Sequence, residues 1–241
     1  MTHTLIRSKD RKVANSIMPS GKQARLANTF GLPAGQAFSC PGATSVCSKI
    51  CYAGKLEDLY TSVRNVLQTN WNLLKDANFE TMVELLDAMI TEFETESTKW
   101  NADKLFRIHW DGDFFNMTYV QAWKKVILDH TETQFWVYTR SDFAVPELIG
   151  IPNLALYFSA DNANLELAVG LKTTYGVKLA YLAENFEVGQ RVMKEATGRP
   201  GAKCPENKRA IPLISPEGSA CVRCKLCVFE KTDIIFSSTK T

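Results

Sequence analysis

The seven cysteines of this chain fall into two tight groups with none between them. Cys40, Cys47 and Cys51 lie in FSCPGATSVCSKICYAGK; Cys204, Cys221, Cys224 and Cys227 lie between KCPENK and CVRCKLC. Structural cysteines sit singly on apolar faces. These sit among Gly, Pro and Ser, in loops that can aim sulfurs at an inorganic centre. Metal binding is the first chemistry the sequence points to.

Disulfides are the competing use of thiols. The N-terminal MTHTLIRSKDRKVANSI is polar and basic, without the apolar core of a secretory signal, and no stretch is apolar enough to span a bilayer. A cytoplasmic protein with no membrane partner is therefore expected, where thiols stay reduced and clustered cysteines hold metal or do redox work. An odd count would also leave one thiol unpaired.

Cys221-x2-Cys224-x2-Cys227 has the spacing with which bacterial ferredoxins offer thiolates to an iron–sulfur cube. Cys204, followed by Pro205, is the natural fourth ligand of a 4Fe–4S cluster. Zinc prefers two separated C-x2-C pairs that surround one small ion, and a zinc ribbon is the rival reading. The first group, spaced C-x6-C-x3-C, offers only three sulfurs. Either it holds a second cluster with one iron open, or the two groups meet and share one.

The elements that must position these loops show in the hydrophobic pattern. Helical periodicity runs from about Leu56 to Leu74 and again from Phe79 to Phe93. β-like runs begin at Leu105, Gln134, Leu154, Lys178 and Arg209, and QAFS before Cys40 adds another. About six strands alternating with crossovers imply parallel βαβ units, in a sheet or barrel. We expect a basic N-terminal arm over 1–30, an α/β partial barrel over 31–200 and a cysteine-rich, cluster-binding tail over 201–241. At 45% apolar, 241 residues can bury a full core, and a net charge of +2 is too weak to imply nucleic acid by itself.

Strand parity carries a second signal. In LFRIHWDGDFF, Phe106, Ile108 and Trp110 share one face, while Arg107, His109, Asp111 and Asp113 share the other. Polar residues recur at later strand ends: Tyr138 and Arg140, Ser159 and Asp161, and Glu184. Functional groups of parallel α/β folds gather at such carboxyl ends. Asp111-Gly112-Asp113 offers two carboxylates for an amine, a cation or a ribose. For His109, a hydrogen-bonded core position ranks ahead of a ligand or general base.

A three-cysteine loop after a first strand, an acidic Gly motif after the next, a β/α series and a cysteine-rich tail resemble the radical S-adenosylmethionine enzymes. More narrowly, LPAGQAFSCPGATSVCSKICYAGK, FRIHWDGDFFN with YVQAW, FWVYTRS and the tail resemble the phage "gene product 88" family of iron–sulfur-like proteins. The radical-enzyme resemblance implies a partial (β/α)6 barrel and an open 4Fe–4S cluster on Cys40, Cys47 and Cys51. It also implies S-adenosylmethionine as cofactor, with Asp111, Gly112 and Asp113 near its amine and Ser159, Asp161 and Glu184 as ribose or carboxylate contacts. The cysteine spacing departs from that superfamily's C-x3-C-x2-C, and Tyr52 follows the last cysteine rather than preceding it.

Three functions follow as expectations. The first is a radical-type enzyme acting on a small-molecule or nucleic-acid substrate with an electron donor. The second is a non-enzymatic iron–sulfur redox or sensor protein. The third is a zinc-containing nucleic-acid-binding protein stacking bases on Trp110, Phe114, Phe115, Trp123 or Trp136.

Overall fold

The computed structural model describes residues 4–13, 15–17 and 23–239. An antiparallel hairpin, β1 (Asn15–Ile17) with β2 (Gln23–Arg25), precedes β3 (Thr29–Gly31). Four helices then lead to the second sheet strand: α1 (Ser45–Ile50), α2 (Tyr52–Leu59), α3 (Thr61–Leu74) and α4 (Phe79–Lys99). Strands and helices alternate after that: β4 (Leu105–Asp111), α5 (Met117–Asp129), β5 (Gln134–Thr139), α6 (Val145–Leu148), β6 (Leu154–Ala160), α7 (Leu165–Tyr175), β7 (Lys178–Ala183), α8 (Phe186–Thr197) and β8 (Ala202–Lys203). The tail contributes a hairpin, β9 (Ile214–Ser215) with β10 (Gly218–Ser219), then α9 (Ala220–Cys224) and β11 (Ile234–Ser237).

Seven strands form one sheet in the order β3-β4-β5-β6-β7-β11-β8, and every pair in it is parallel. The α/β class and the parallel pairing agree with the sequence. The sheet is open, because β3 and β8 are edges and no closed barrel forms.

Two stretches read as strands are not in this sheet. QAFS is a turn, and β3 lies seven residues earlier, at Thr29. Most of RAIPLI is turn and bend as well. Arg209 takes a left-handed φ of 60°, and Pro212 has no N–H to give a ladder. The tail joins the sheet through β11, which inserts between β7 and β8.

The helical stretch from Leu56 to Leu74 is two helices, α2 and α3, parted at Tyr60, whose backbone is extended. Arg64 explains the stop. Its guanidinium donates to the carbonyls of Glu57 (3.2 Å) and Asp58 (3.4 Å), orphan acceptors at the end of α2. The second helix continues past Phe93 to Lys99 and starts at Asn78, which accepts from the Thr81 N–H at 2.9 Å.

Alternation within the strands divides the core in two. Phe106, Ile108, Phe135, Val137, Leu156, Phe158 and Leu179 pack under the helices. On the other face Trp136, Ala155, Tyr157 and Ala180 meet Val13, Val222, Val228 and Ile234, so the cysteine tail and the N-terminal strap cover it. That face is filled rather than opening as a polar cavity. Phe114, Trp123 and Trp136 are fully buried, which removes them from any base-stacking surface.

Parity also breaks inside β4. Thr29 pairs with Arg107 and Gly31 with Asp111, so two steps of β3 span four of β4, and His109 takes a φ of 58° at the irregularity. Arg107 therefore points to the tail face, while His109 turns into the aromatic core beside Phe114 and Trp123. There His109 Nε2 shares a 3.0 Å hydrogen bond with the Tyr119 hydroxyl, and burial holds its pKa down to about 3. His109 is a neutral core residue, as its ranking anticipated.

Candidate metal centres

The first cysteine loop lies across the carboxyl ends of β4, β5 and β6. Thr44 begins α1 by accepting the Cys47 N–H at 3.0 Å, and its own hydroxyl donates to Asp161 at 2.6 Å. Asp161 is fully buried and stands 2.9 Å from the Arg140 guanidinium. Gly42 approaches so closely that a Cβ there would lie 2.1 Å from the Arg140 carbonyl. Loop and strand ends are thus locked together between Gly42 and Cys47.

Asp113 locks the other side. One carboxylate oxygen accepts from Thr139 Oγ1 (2.6 Å) and the Phe114 N–H (2.7 Å), and the other from the Arg140 N–H (2.7 Å). Its own N–H donates to Ser39 Oγ at 3.3 Å, next to Cys40. Burial still raises the Asp113 pKa to about 6 against these bonds. Gly112 must be glycine: φ is +80°, and a Cβ would sit 2.5 Å from Ser39 Oγ and 2.8 Å from Leu32.

Asp111 differs. It is buried, one oxygen accepts only the adjacent Gly112 N–H (2.9 Å), and Oδ2 has no partner. Burial, and then the facing Glu57 carboxyl, push its pKa up to about 8. Glu57 in turn accepts the Ala34 N–H at 2.8 Å.

Cys40 and Cys51 lie within electrostatic reach of Asp111, and Cys40 and Cys47 within that of Asp113. Burial raises all three thiols; Cys40 feels the charges of Asp113 and Asp111, Cys47 those of Arg140 and Cys51, and Cys51 that of Asp111. Cys51 Sγ also caps α2, accepting the Gly54 N–H at 3.3 Å.

The tail thiols form a separate neighbourhood on the covered face of the sheet. Burial pushes Cys227 up to about 12; the Tyr138 hydroxyl donates to it, while charge on Cys204 and Cys224 raises it further. Cys221 is raised by burial, lowered by Arg107 and raised again by Cys227. The charges of Cys227 and of each of the other three thus bear on one another. No cysteine of one group ranks among the main charges felt by the other. The strap seals this site: the Cys221 N–H donates to the Lys12 carbonyl at 2.9 Å, Lys12 pairs with Glu206 at 2.8 Å, and Arg107 pairs with Asp10 at 2.6 Å.

All seven cysteines are half-buried free thiols. Among the described residues, no three His, Cys, Asp or Glu side chains converge closely enough to hold a single metal ion. Ser159 is half-buried at the end of β6, where its carbonyl accepts from Asn164 at 3.1 Å. Glu184 is exposed beyond β7, and its carbonyl anchors Ser237 and Thr239; the structure does not bring its side chain to the acidic corner.

Thr44, Glu57, Arg107 and Lys12 belong to these sites although the sequence did not single them out as site residues. Thr44 stands three residues before Cys47, a helix N-cap spacing, and Glu57 lies six after Cys51 on the helix that cysteine begins. Arg107 shows in the sequence only as a member of the polar parity set of its strand, and Lys12 carries no such local signal.

Fold and sites together define a parallel α/β protein with two groups of free thiols. The chain belongs to the family described as Gene product 88, which it matches over residues 3–230. It is 48% identical over 241 residues to the Gene 88 protein of Mycobacterium phage L5, with 98% of each chain covered. It is 46% identical over 243 residues to the Gene 88 protein of Mycobacterium phage D29, with 98% of this chain and 99% of that one covered. Neither relative's name states an activity or a cofactor. Among the described residues, no helix is long and apolar enough to cross a membrane.

Proposed function

We propose that this protein binds iron–sulfur clusters: a closed 4Fe–4S centre on Cys204, Cys221, Cys224 and Cys227, and an open one on Cys40, Cys47 and Cys51. The observation that carries the reading is that Cys221, Cys204 and Cys224 each lie within electrostatic reach of Cys227, beside a cation, Arg107, whose Nε is buried and has no partner. A buried, doubly anionic cluster needs such donors and counter-charges. The C-x2-C-x2-C spacing with a fourth cysteine before Pro205 is that of iron–sulfur ligands rather than of two separated zinc knuckles.

At the open centre the chain offers a positively charged cosubstrate one free group. Asp113 and Asp161 are occupied in holding the loop, whereas Asp111 keeps an unpartnered carboxylate oxygen opposite Glu57. An ammonium between those two carboxyls would give the unpartnered Asp111 oxygen a donor and offset the repulsion between them. We therefore assign Asp111 and Glu57 to the amine of S-adenosylmethionine; the reduced open cluster would supply one electron to its sulfonium, in the manner of radical enzymes. Ser159 and Glu184 have no assigned contact in this reading. The site of action is the host cytoplasm.

The test is anaerobic reconstitution with iron and sulfide, followed by electron paramagnetic resonance with and without S-adenosylmethionine. The reading requires the signal of the reduced protein to change and Asp111→Asn to weaken that response, at unaltered iron content, by about ten- to a hundredfold in affinity. An unchanged spectrum at millimolar cosubstrate, with no 5′-deoxyadenosine released, reduces the protein to a redox or sensor scaffold.

A further inference from the structure

Arg107 joins β4 to the N-terminal segment that covers the tail site, through its ion pair with Asp10. It leaves β4 on the tail face just before the His109 irregularity, and its guanidinium lies 5.5 Å from the centre of the Tyr138 ring. Tyr138 in turn donates to Cys227. Its partner Asp10 is as deeply placed as Arg107 itself, each side chain being 13% exposed. Two further observations are unexplained by that ion pair. The buried Nε–H has no acceptor, although an unmade bond at a buried donor is costly. Arg107 is also the largest charge acting on Cys221, ahead of every acid and of Lys12.

We propose that Arg107 is the counter-ion and hydrogen-bond donor of the tail cluster, and that its balance against Asp10 sets that cluster's reduction potential. This rests on the cluster reading above. Reduction adds one negative charge to the cluster. A nearby guanidinium in a partly dry site stabilises the reduced state, and a nearby carboxylate opposes it. The orphan Nε–H gains an acceptor when sulfide or thiolate is present. Asp10, which also accepts the Lys12 N–H at 2.9 Å, keeps the guanidinium in place and partly neutralises it.

The geometry makes two neighbouring substitutions act in opposite directions. In the full-length protein reconstituted with iron and sulfide, Arg107→Gln should lower the midpoint potential of the tail cluster and speed its loss of iron. Asp10→Asn keeps the oxygen that accepts from Lys12, removes one negative charge, and should raise the potential. Arg107→Lys should lie between Arg107→Gln and the wild type. Potentials come from titrations followed by electron paramagnetic resonance, alongside iron and sulfide analysis of each variant. Should Arg107→Gln fail to fold, the sign of the Asp10→Asn shift decides. A wild-type chain that takes up no iron overturns the cluster reading and this inference with it. Wild-type iron content with unmoved potentials, or with both variants shifted the same way, overturns the role of Arg107 alone.

Discussion

Thr44 donates a 2.6 Å hydrogen bond to Asp161 while accepting the N–H of Cys47, so one hydroxyl ties a cysteine helix to the end of β6. The carboxylate that the sequence offered as a cofactor contact is thereby spent on shaping the loop. Its companion Asp113 is spent likewise, on Thr139, Phe114 and Arg140.

Thr44→Ala removes the cap and strips the buried Asp161 of a donor. A lost cap costs about 0.5–2 kcal/mol and a hydrogen bond to a charged group about 1.5–3. We expect a loss on the order of 2–4 kcal/mol in urea denaturation. Thr44→Ser should recover most of it, since the hydroxyl is retained.

Gly112→Ala should destabilise by more than about 2 kcal/mol, because the left-handed backbone and the 2.5 Å approach to Ser39 act together. Gly176→Ala is the control. Gly176 is also left-handed, with φ +74°, but has nothing within 4 Å, so only the backbone cost of about 1 kcal/mol applies. Denaturation midpoints of the two variants measure the difference. Equal midpoints would mean that the loop yields freely at Ser39.

His109 gives a pH signature of known sign. Its folded pKa is about 3 against an ordinary 6.5, so the unfolded chain binds the proton first as pH falls. Stability should be lost between about pH 6.5 and pH 3, by up to a few kcal/mol. Asp113 works the other way: with its pKa raised to about 6, stability falls as pH rises from 3.8 to that value. The difference between wild type and His109→Gln, which keeps a bond to Tyr119 without titrating, isolates the histidine. A wild-type slope no steeper than that of His109→Gln would contradict a buried neutral ring.

The strands from Leu105, Gln134, Leu154 and Lys178 were legible because each is long enough to alternate between a helix-facing and a tail-facing set. The first sheet strand was not: Thr29–Gly31 is three residues long, buried throughout and without alternation. RAIPLI has the apolar look of a strand, but Pro212 and the left-handed Arg209 exclude it, and the shorter IIFS takes its place in the sheet. The bulge at His109 was invisible for a different reason. A left-handed φ at a non-glycine residue is imposed by the pairing with β3, and without it His109 would have kept company with Arg107. The cysteine groups were legible as groups. The cations beside the tail group were not, because Lys12 comes to it from the N-terminal strap and Arg107 from β4, both remote from it in sequence.

Whether the two cysteine groups hold iron–sulfur clusters is decided by metal analysis of protein purified without oxygen, with Cys224→Ser beside the wild type. Two clusters make a brown protein with about eight irons and eight sulfides per chain, falling to about four of each in the variant as the closed site empties. A colourless wild-type protein holding one tight zinc and no sulfide, or a variant that folds and keeps its full metal, would contradict the cluster reading.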